Sequence, residues 1–108
     1  MNYKIQIKKR QTYLVLKIAG SVTSSCIHVL SKKFDSLYKT RYETIVVDLS
    51  ETIYIDSHGL GIFIYAWKMM EKINKSLVFL NPREFIRNIF LGTNLDRVLR
   101  VVDTVEEL

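Results

Sequence analysis

The side chains with chemical potential gather in one short stretch. Asp56, Ser57 and His58 are consecutive, and Gly59 and Gly61 follow directly. An acid, a hydroxyl and an imidazole side by side invite an acid–base or nucleophilic reading. No second set of acid, base or nucleophile is evident elsewhere, so we do not assign Asp56 as an autonomous catalytic base. Gly59 and Gly61 are not a phosphate loop, because the full glycine-rich nucleotide fingerprints are absent. His58 has no cysteine or histidine at ligand spacing, and His28 falls in a different predicted helix, so no metal is expected. Cys26 is the lone cysteine and cannot form an internal disulfide, which fits a reducing cytoplasm. It reads as a small, partly buried filler. The stretch is better read as a place where another protein meets an exposed hydroxyl.

Position gives that reading its content. Ile53-Tyr54-Ile55 is apolar and β-prone, and an amphipathic helical pattern begins after Asp56-Ser57. The layout presents the Ser57 hydroxyl at the open N-terminus of a helix. From spacing alone, the simplest role for Ser57 is an N-cap whose oxygen accepts a backbone N–H bond. Asp56 is either a structural cap or a group that orients the serine. Gly59 and Gly61, lacking a Cβ, allow close approach of a partner. For both, close helix–sheet packing is the competing reading, and it weighs most at Gly61. His58 is expected to be exposed in the first turn.

The elements that position this stretch follow from hydrophobic periodicity. Tyr3, Ile5 and Ile7 alternate with polar residues, which predicts a half-buried strand. A turn over 8–12 leads to a second strand over 13–18, stopped by Gly20. Thr23, Ser24 and Ser25 offer N-cap hydroxyls to a helix whose stripe is Ile27, Leu30, Phe34, Leu37 and Tyr38. Residues 45–49 read as a central strand buried on both faces. The second helix should run from near Ser57 to about Ile73, burying Leu60, Phe63, Ile64, Trp67 and Met70. Residues 77–80 are another buried strand. Asn81, Pro82 and Glu84 carry helix-start signals, with Asn81 as N-cap, and Gly92 is expected as C-terminal cap. A last strand over 98–102 precedes a short helix capped by Asp103 or Thr104. The order is β-β-α-β-α-β-α-β-α, an α/β arrangement with parallel pairing after an initial hairpin.

Size and charge narrow the classes. The 108 residues predict one domain over 1–108 with a modest core. No apolar run approaches the ~20 residues needed to cross a bilayer, so no membrane insertion is expected. The net charge of +5 is unevenly spread: residues 1–41 hold nine Lys/Arg and one acidic residue. The densest cluster, Lys8-Lys9-Arg10, falls in a predicted hairpin turn and reads as a solvated turn. Without a groove-entering motif, charge does not support direct nucleic-acid binding.

Several local patterns together resemble the STAS-domain anti-sigma factor antagonists, and the element order is that of the STAS fold. Val46-Val47-Asp48-Leu49-Ser50 resembles the strand leading to that family's acceptor loop. Asp56-Ser57-His58-Gly59-Leu60-Gly61 resembles its Asp-Ser-(Ser/Thr)-Gly-Leu-Gly. Thr93 to Val98, followed by Asp103 to Glu107, resembles its closing loop, strand and helix. The resemblance covers essentially the whole chain. His58 stands where the family usually has a small residue. Ser21-Val22-Thr23 stands where it often carries an acid near Gly20.

The resemblance implies a small mixed sheet with an N-terminal hairpin and about four helices. It implies a cytoplasmic binding module, monomeric when free, with neither enzyme activity nor a cofactor. Ser57 would be phosphorylated, and Asp56, Ser57, His58, Gly59 and Gly61, with Ser21 and Thr23 beside them, would meet the partner. That partner would be an anti-sigma factor that is also a serine kinase of the GHKL ATPase type. The unmodified chain would bind it and free a sigma factor. Phosphorylation would end binding, and a PP2C-type phosphatase would restore it. Within the same fold, an alternative is a subunit of another assembly, such as an ABC transporter or a secretion regulator, with Ser57 structural.

Overall fold

The computed structural model describes residues 3–108. Its strands are β1 (Tyr3–Lys9), β2 (Leu14–Val22), β3 (Thr44–Asp48), β4 (Thr52–Ile55), β5 (Ser76–Leu80) and β6 (Arg100–Val102). Its helices are α1 (Ile27–Tyr38), α2 (Ser57–Lys72) and α3 (Glu84–Gly92), with 3-10 turns at Ser24–Cys26, Leu95–Arg97 and Val105–Glu107. The six strands form one mixed sheet in the order β1-β2-β3-β5-β6, with β4 also paired to β2. Among the described residues, only the β1–β2 hairpin is antiparallel.

Alternation along the strands sorts residues between the two faces of the sheet. Leu14, Leu16 and Ile18 of β2, Ile45 and Val47 of β3, and Leu77 and Phe79 of β5 join one core cluster. The same cluster contains Leu30, Phe34 and Leu37 of α1, Phe63, Ala66 and Met70 of α2, and Ile86 and Phe90 of α3. The helices therefore pack on one side. Phe79 lies at the middle of an aromatic group, with Phe63 at 5.0 Å and Phe90 at 5.7 Å between ring centroids. Val15, Val46 and Val78 have the opposite parity and are buried as well, on the face away from the helices.

The most consequential departure from expectation is β4. Gly20 does not end β2. The strand continues to Val22, with a register shift between Gly20 and Ser21. Gly20 takes a φ of 98° there, and its N–H donates to the Glu51 carbonyl over 3.0 Å. That conformation favours a residue without Cβ. β3 accompanies β2 as far as Lys17, and β4 then takes the same side from Gly20 to Val22. The buried Thr52 hydroxyl donates to the Ile18 carbonyl over 2.7 Å and fixes the join.

Other boundaries differ for local reasons. α1 is preceded by the Ser24–Cys26 turn, with Cys26 as its N-cap and no side-chain cap bond. The Thr23 and Ser25 hydroxyls pair with each other instead. Asn81 is not the cap of α3. It turns the chain at a φ of 50° while its N–H donates to the Val102 carbonyl, and Arg83 occupies the N-cap position. Gly92 is the last residue of α3, and the cap is Thr93, whose hydroxyl donates to the Ile89 carbonyl over 2.7 Å. The last segment is a 3-10 turn with Thr104 as its N-cap. The Glu107 carboxylate accepts from the N–H groups of Asp103 and Thr104. Among the described residues, no helix is long and apolar enough to cross a membrane.

Candidate functional site

Residues from β2, β4 and α2 meet at the start of α2. β2 and β4 run parallel there, with Ser21 opposite Tyr54 and Val22 opposite Ile55. The Asp56 N–H continues the ladder by donating to the Val22 carbonyl over 3.1 Å. Asp56 is extended, at φ −102°, and its Oδ1 accepts the Gly59 N–H over 3.0 Å. Its own carbonyl accepts the first helical bond, from the Leu60 N–H. Asp56 is therefore the N-cap of α2, and the cap reading of Ser57 is corrected. An acidic cap is also favourable at the positive end of the helix.

Ser57 is the first residue inside the helix and is exposed. Among the described residues, no hydrogen bond engages its hydroxyl. The exposed His58 holds Nδ1 3.6 Å from Asp56 Oδ2, an electrostatic contact longer than a hydrogen bond. The hydrogen bond from the Gly59 N–H is the main cause holding the Asp56 carboxyl below its ordinary 3.8. Partial burial opposes this, while the N–H groups of Ser24 and His58 and the His58 charge assist. The Asp56 backbone N–H, not its carboxylate, ties the end of β2 to the helix start, through its bond to the Val22 carbonyl.

The two glycines have different surroundings. Gly59 is buried, and a Cβ there would overlap the Val22 carbonyl oxygen while standing 2.7 Å from Val22 Cγ1 and 2.9 Å from Ile55 Cγ1. Close helix–sheet packing, expected more at Gly61 than at Gly59, belongs to Gly59. Gly61 is exposed, with nothing within 4 Å of the position a Cβ would take. The same contact rotates α2 from its expected stripe. Gly59, Phe63, Ala66 and Met70 are buried, whereas Leu60, Ile64 and Trp67 are half-buried.

Ser21 and Thr23, half-buried, lie at the end of β2 beside this turn. Cys26 is fully buried beneath them, its Sγ 3.3 Å from the Thr23 carbonyl that accepts its S–H. Burial pushes the thiol up. Sequence reasoning missed Thr52 and Val22, which position the site without reaching its surface. Gly20 inside an apolar run was the available signal for a bulge. Among the described residues, no group of three His, Cys, Asp or Glu side chains could hold a metal ion.

The fold that carries this site recurs in known proteins. The sequence pattern of the STAS domain matches residues 4–108. The TM1081 homologue of Thermotoga neapolitana is 30% identical over 74 residues, which span 68% of this chain and just under two thirds (66%) of that protein. The anti-sigma-B factor antagonist of Listeria monocytogenes is 26% identical over 110 residues, covering 100% of this chain and 96% of that one. Among solved structures, TM1081 of Thermotoga maritima superposes with a TM-score of 0.85 at 25% identity, over 95% of this chain and 89% of that one. The Bacillus anti-sigma factor antagonist SpoIIAA shares the fold in its unphosphorylated form, at a TM-score of 0.76 and 18% identity, over 96% of this chain and 92% of that one. Its phosphorylated form gives 0.74 and 19% over 96% and 95%. With the sequence pattern matched from β1 to the last turn, and the sheet and helices superposing on these structures, the chain belongs to the STAS domain family.

Proposed function

We propose that this chain is an anti-sigma factor antagonist controlled by phosphorylation at Ser57. The observation that carries the reading is the Ser57 hydroxyl, exposed at the first position of α2 while Asp56 does the capping. Relatives named as anti-sigma-B factor antagonists, and a fold neighbour solved with and without phosphate, support it. In this reading the unphosphorylated chain binds an anti-sigma factor that is also a serine kinase of the GHKL type, and a sigma factor is released. The contact surface is Asp56, Ser57, His58 and Gly61, with Ser21 and Thr23 alongside and Gly59 beneath. The kinase supplies ATP and Mg²⁺, and a PP2C-type phosphatase reverses the modification. The chain acts in the cytoplasm as a binding module rather than an enzyme.

The physical basis of switching is local. Phosphate adds about −1.5 to −2 charges at pH 7. The N-terminus of α2 accommodates an anion, so the fold survives. An interface packed against a neutral hydroxyl must instead desolvate that anion or clash with it. A binding loss of about 1.4 kcal/mol is already tenfold.

The test is intact-mass spectrometry after incubation with the purified anti-sigma kinase and Mg-ATP. The wild type should gain one phosphate, and Ser57→Ala none, while the alanine variant stays folded and bound. Phosphate entering the alanine variant would move the acceptor elsewhere; Thr52 is buried, so Ser50 would be the next candidate. Should phospho-Ser57 protein bind the kinase as tightly as the unmodified chain, the switch is refuted.

A further inference from the structure

Beside the start of α2, β4 and α3 present an apolar surface that the proposed contact set does not use. Thr52 and Ile55 are the buried residues of β4, and the two between them face outward. Ile53 is 56% exposed, Tyr54 46%, and Phe85 in the first turn of α3 50%. The Tyr54 and Phe85 rings stack, with centroids 5.9 Å apart and planes 18° from parallel. Arg83 fixes the start of α3 to the turn before β4, its Nε donating to the Ser50 carbonyl over 3.0 Å. The pair is thus held in place before any partner arrives, so its burial would order little that is mobile.

This surface is continuous with Ser57. Tyr54 lies three residues before the serine and opposite Ser21 in the β2 register. Both regions sit at the carboxyl ends of the parallel strands, where open α/β sheets receive their ligands. The Ser57 face consists of a serine, a histidine and an open glycine, with no large apolar side chain among them. Protein interfaces draw most of their affinity from a few buried apolar or aromatic anchors within a polar rim. The stacked pair supplies what the serine face lacks.

We propose that Ile53, Tyr54 and Phe85 form the apolar anchor for the anti-sigma factor, with Ser57 as the adjoining control point. This rests on the reading of the chain as an anti-sigma factor antagonist. The complementary surface on the partner is apolar and borders its phosphate-transfer site. Two extended residues, Ile55 and Asp56, separate Tyr54 from Ser57, so the three steps between them reach at most roughly 10 Å. Affinity and control are then divided between neighbouring regions. The anchor is used equally in docking and in phosphate transfer, so its loss raises KM and leaves kcat in place.

The test uses Tyr54→Ala, Phe85→Ala, the double variant and Ile53→Lys, each checked for an unchanged melting temperature. Ile53→Lys is a surface change that keeps the test valid if an aromatic variant folds poorly. The probe is the purified anti-sigma factor kinase of the same genome that modifies Ser57 with Mg-ATP. Each single variant should weaken binding at least about fivefold and the double variant about thirtyfold. KM for phosphorylation should rise in parallel, with kcat within about twofold. Wild-type affinity in all four variants, while Ser57→Asp loses binding, overturns the anchor and leaves the antagonist reading standing. A fall in kcat at constant KM overturns it as well. A concentration-dependent dimer of the wild type, absent in the double variant with kinase binding intact, reassigns the surface to a second copy of this chain. A wild-type chain that no anti-sigma factor of its genome binds overturns the antagonist reading, and the anchor with it.

Discussion

Beneath its first turn α2 is packed without slack, and on its outer side the same turn is bare. Gly59 lies against Val22 and Ile55 at distances that leave no room for a methyl group, whereas Gly61 faces open space. Both glycines sit in the same apparent motif, yet one belongs to the core and the other to the surface. The difference teaches that the motif sets a packing constraint at Gly59 beside an open surface at Gly61, where the proposed function places a partner. Substitutions should separate them, because the tight packing lies on the Val22–Gly59 side and the proposed partner contact on the Ser57–Gly61 side.

The harshest way to test that division is Gly59→Val. The new side chain meets a backbone carbonyl, which cannot rotate away, so we expect a loss of about 3 kcal/mol or more. Urea denaturation reads it directly, and an unchanged midpoint would remove the packing role of Gly59. Thr52→Val comes next. It preserves shape but leaves the Ile18 carbonyl buried without its 2.7 Å donor. That should cost about 1–3 kcal/mol, visible as a lower melting temperature. On the outer side the sign reverses. Gly61→Ala fills open helix surface and should stabilise by about 0.5–1 kcal/mol. Gly61→Val should weaken partner binding in calorimetric titration, and unweakened binding would take Gly61 out of the interface. Ser57→Asp should change stability by no more than about 0.3–1 kcal/mol, in the favourable direction. It should nevertheless bind the kinase more weakly than wild type. Melting temperature and affinity measured on the same sample separate the two effects.

The mildest probe is pH. The folded-state pKa of Asp56 is depressed, chiefly by the Gly59 N–H bond. Its contribution is therefore present above the unfolded value and is lost as pH falls through the folded one. Asp56→Asn retains a capping side chain without the titration. The difference in urea midpoint between wild type and this variant should shrink as pH falls from about 6 to about 3. A gap that widens on acidification would contradict the capping geometry.

The strands and helices that bury whole faces were legible because their apolar spacing repeats over several turns or pleats. α1 is an example: Leu30, Phe34 and Leu37 were expected inside and are buried. β4 was not assigned as a strand, although its β-prone residues were noticed. Its four residues pair only with the end of β2, beyond a bulge that no local periodicity encodes. The helix ends were misread for a related reason. Asn81 and Gly92 are favourable cap types, but a tertiary bond to Val102 claims Asn81, and the Thr93 side chain supplies the cap after Gly92. At the site, the motif located Ser57. Only the fold could show that Asp56 caps the helix and that Gly59, rather than Gly61, touches the sheet. The stacking of Tyr54 on Phe85 was equally invisible, since the two residues are distant in sequence and neither belongs to a recognised pattern.

The bond from the Asp56 N–H to the Val22 carbonyl has a consequence for timing. It extends the hydrogen-bond ladder of the sheet to the residue immediately before the serine. The Asp56 amide should therefore exchange with solvent deuterium as slowly as the interior of β2, in modified and unmodified protein alike. In the proposed switch, a platform so fixed would have no relaxation of its own to complete after phosphate arrives. The rate at which the cell senses the modification would then be the rate at which the partner lets go.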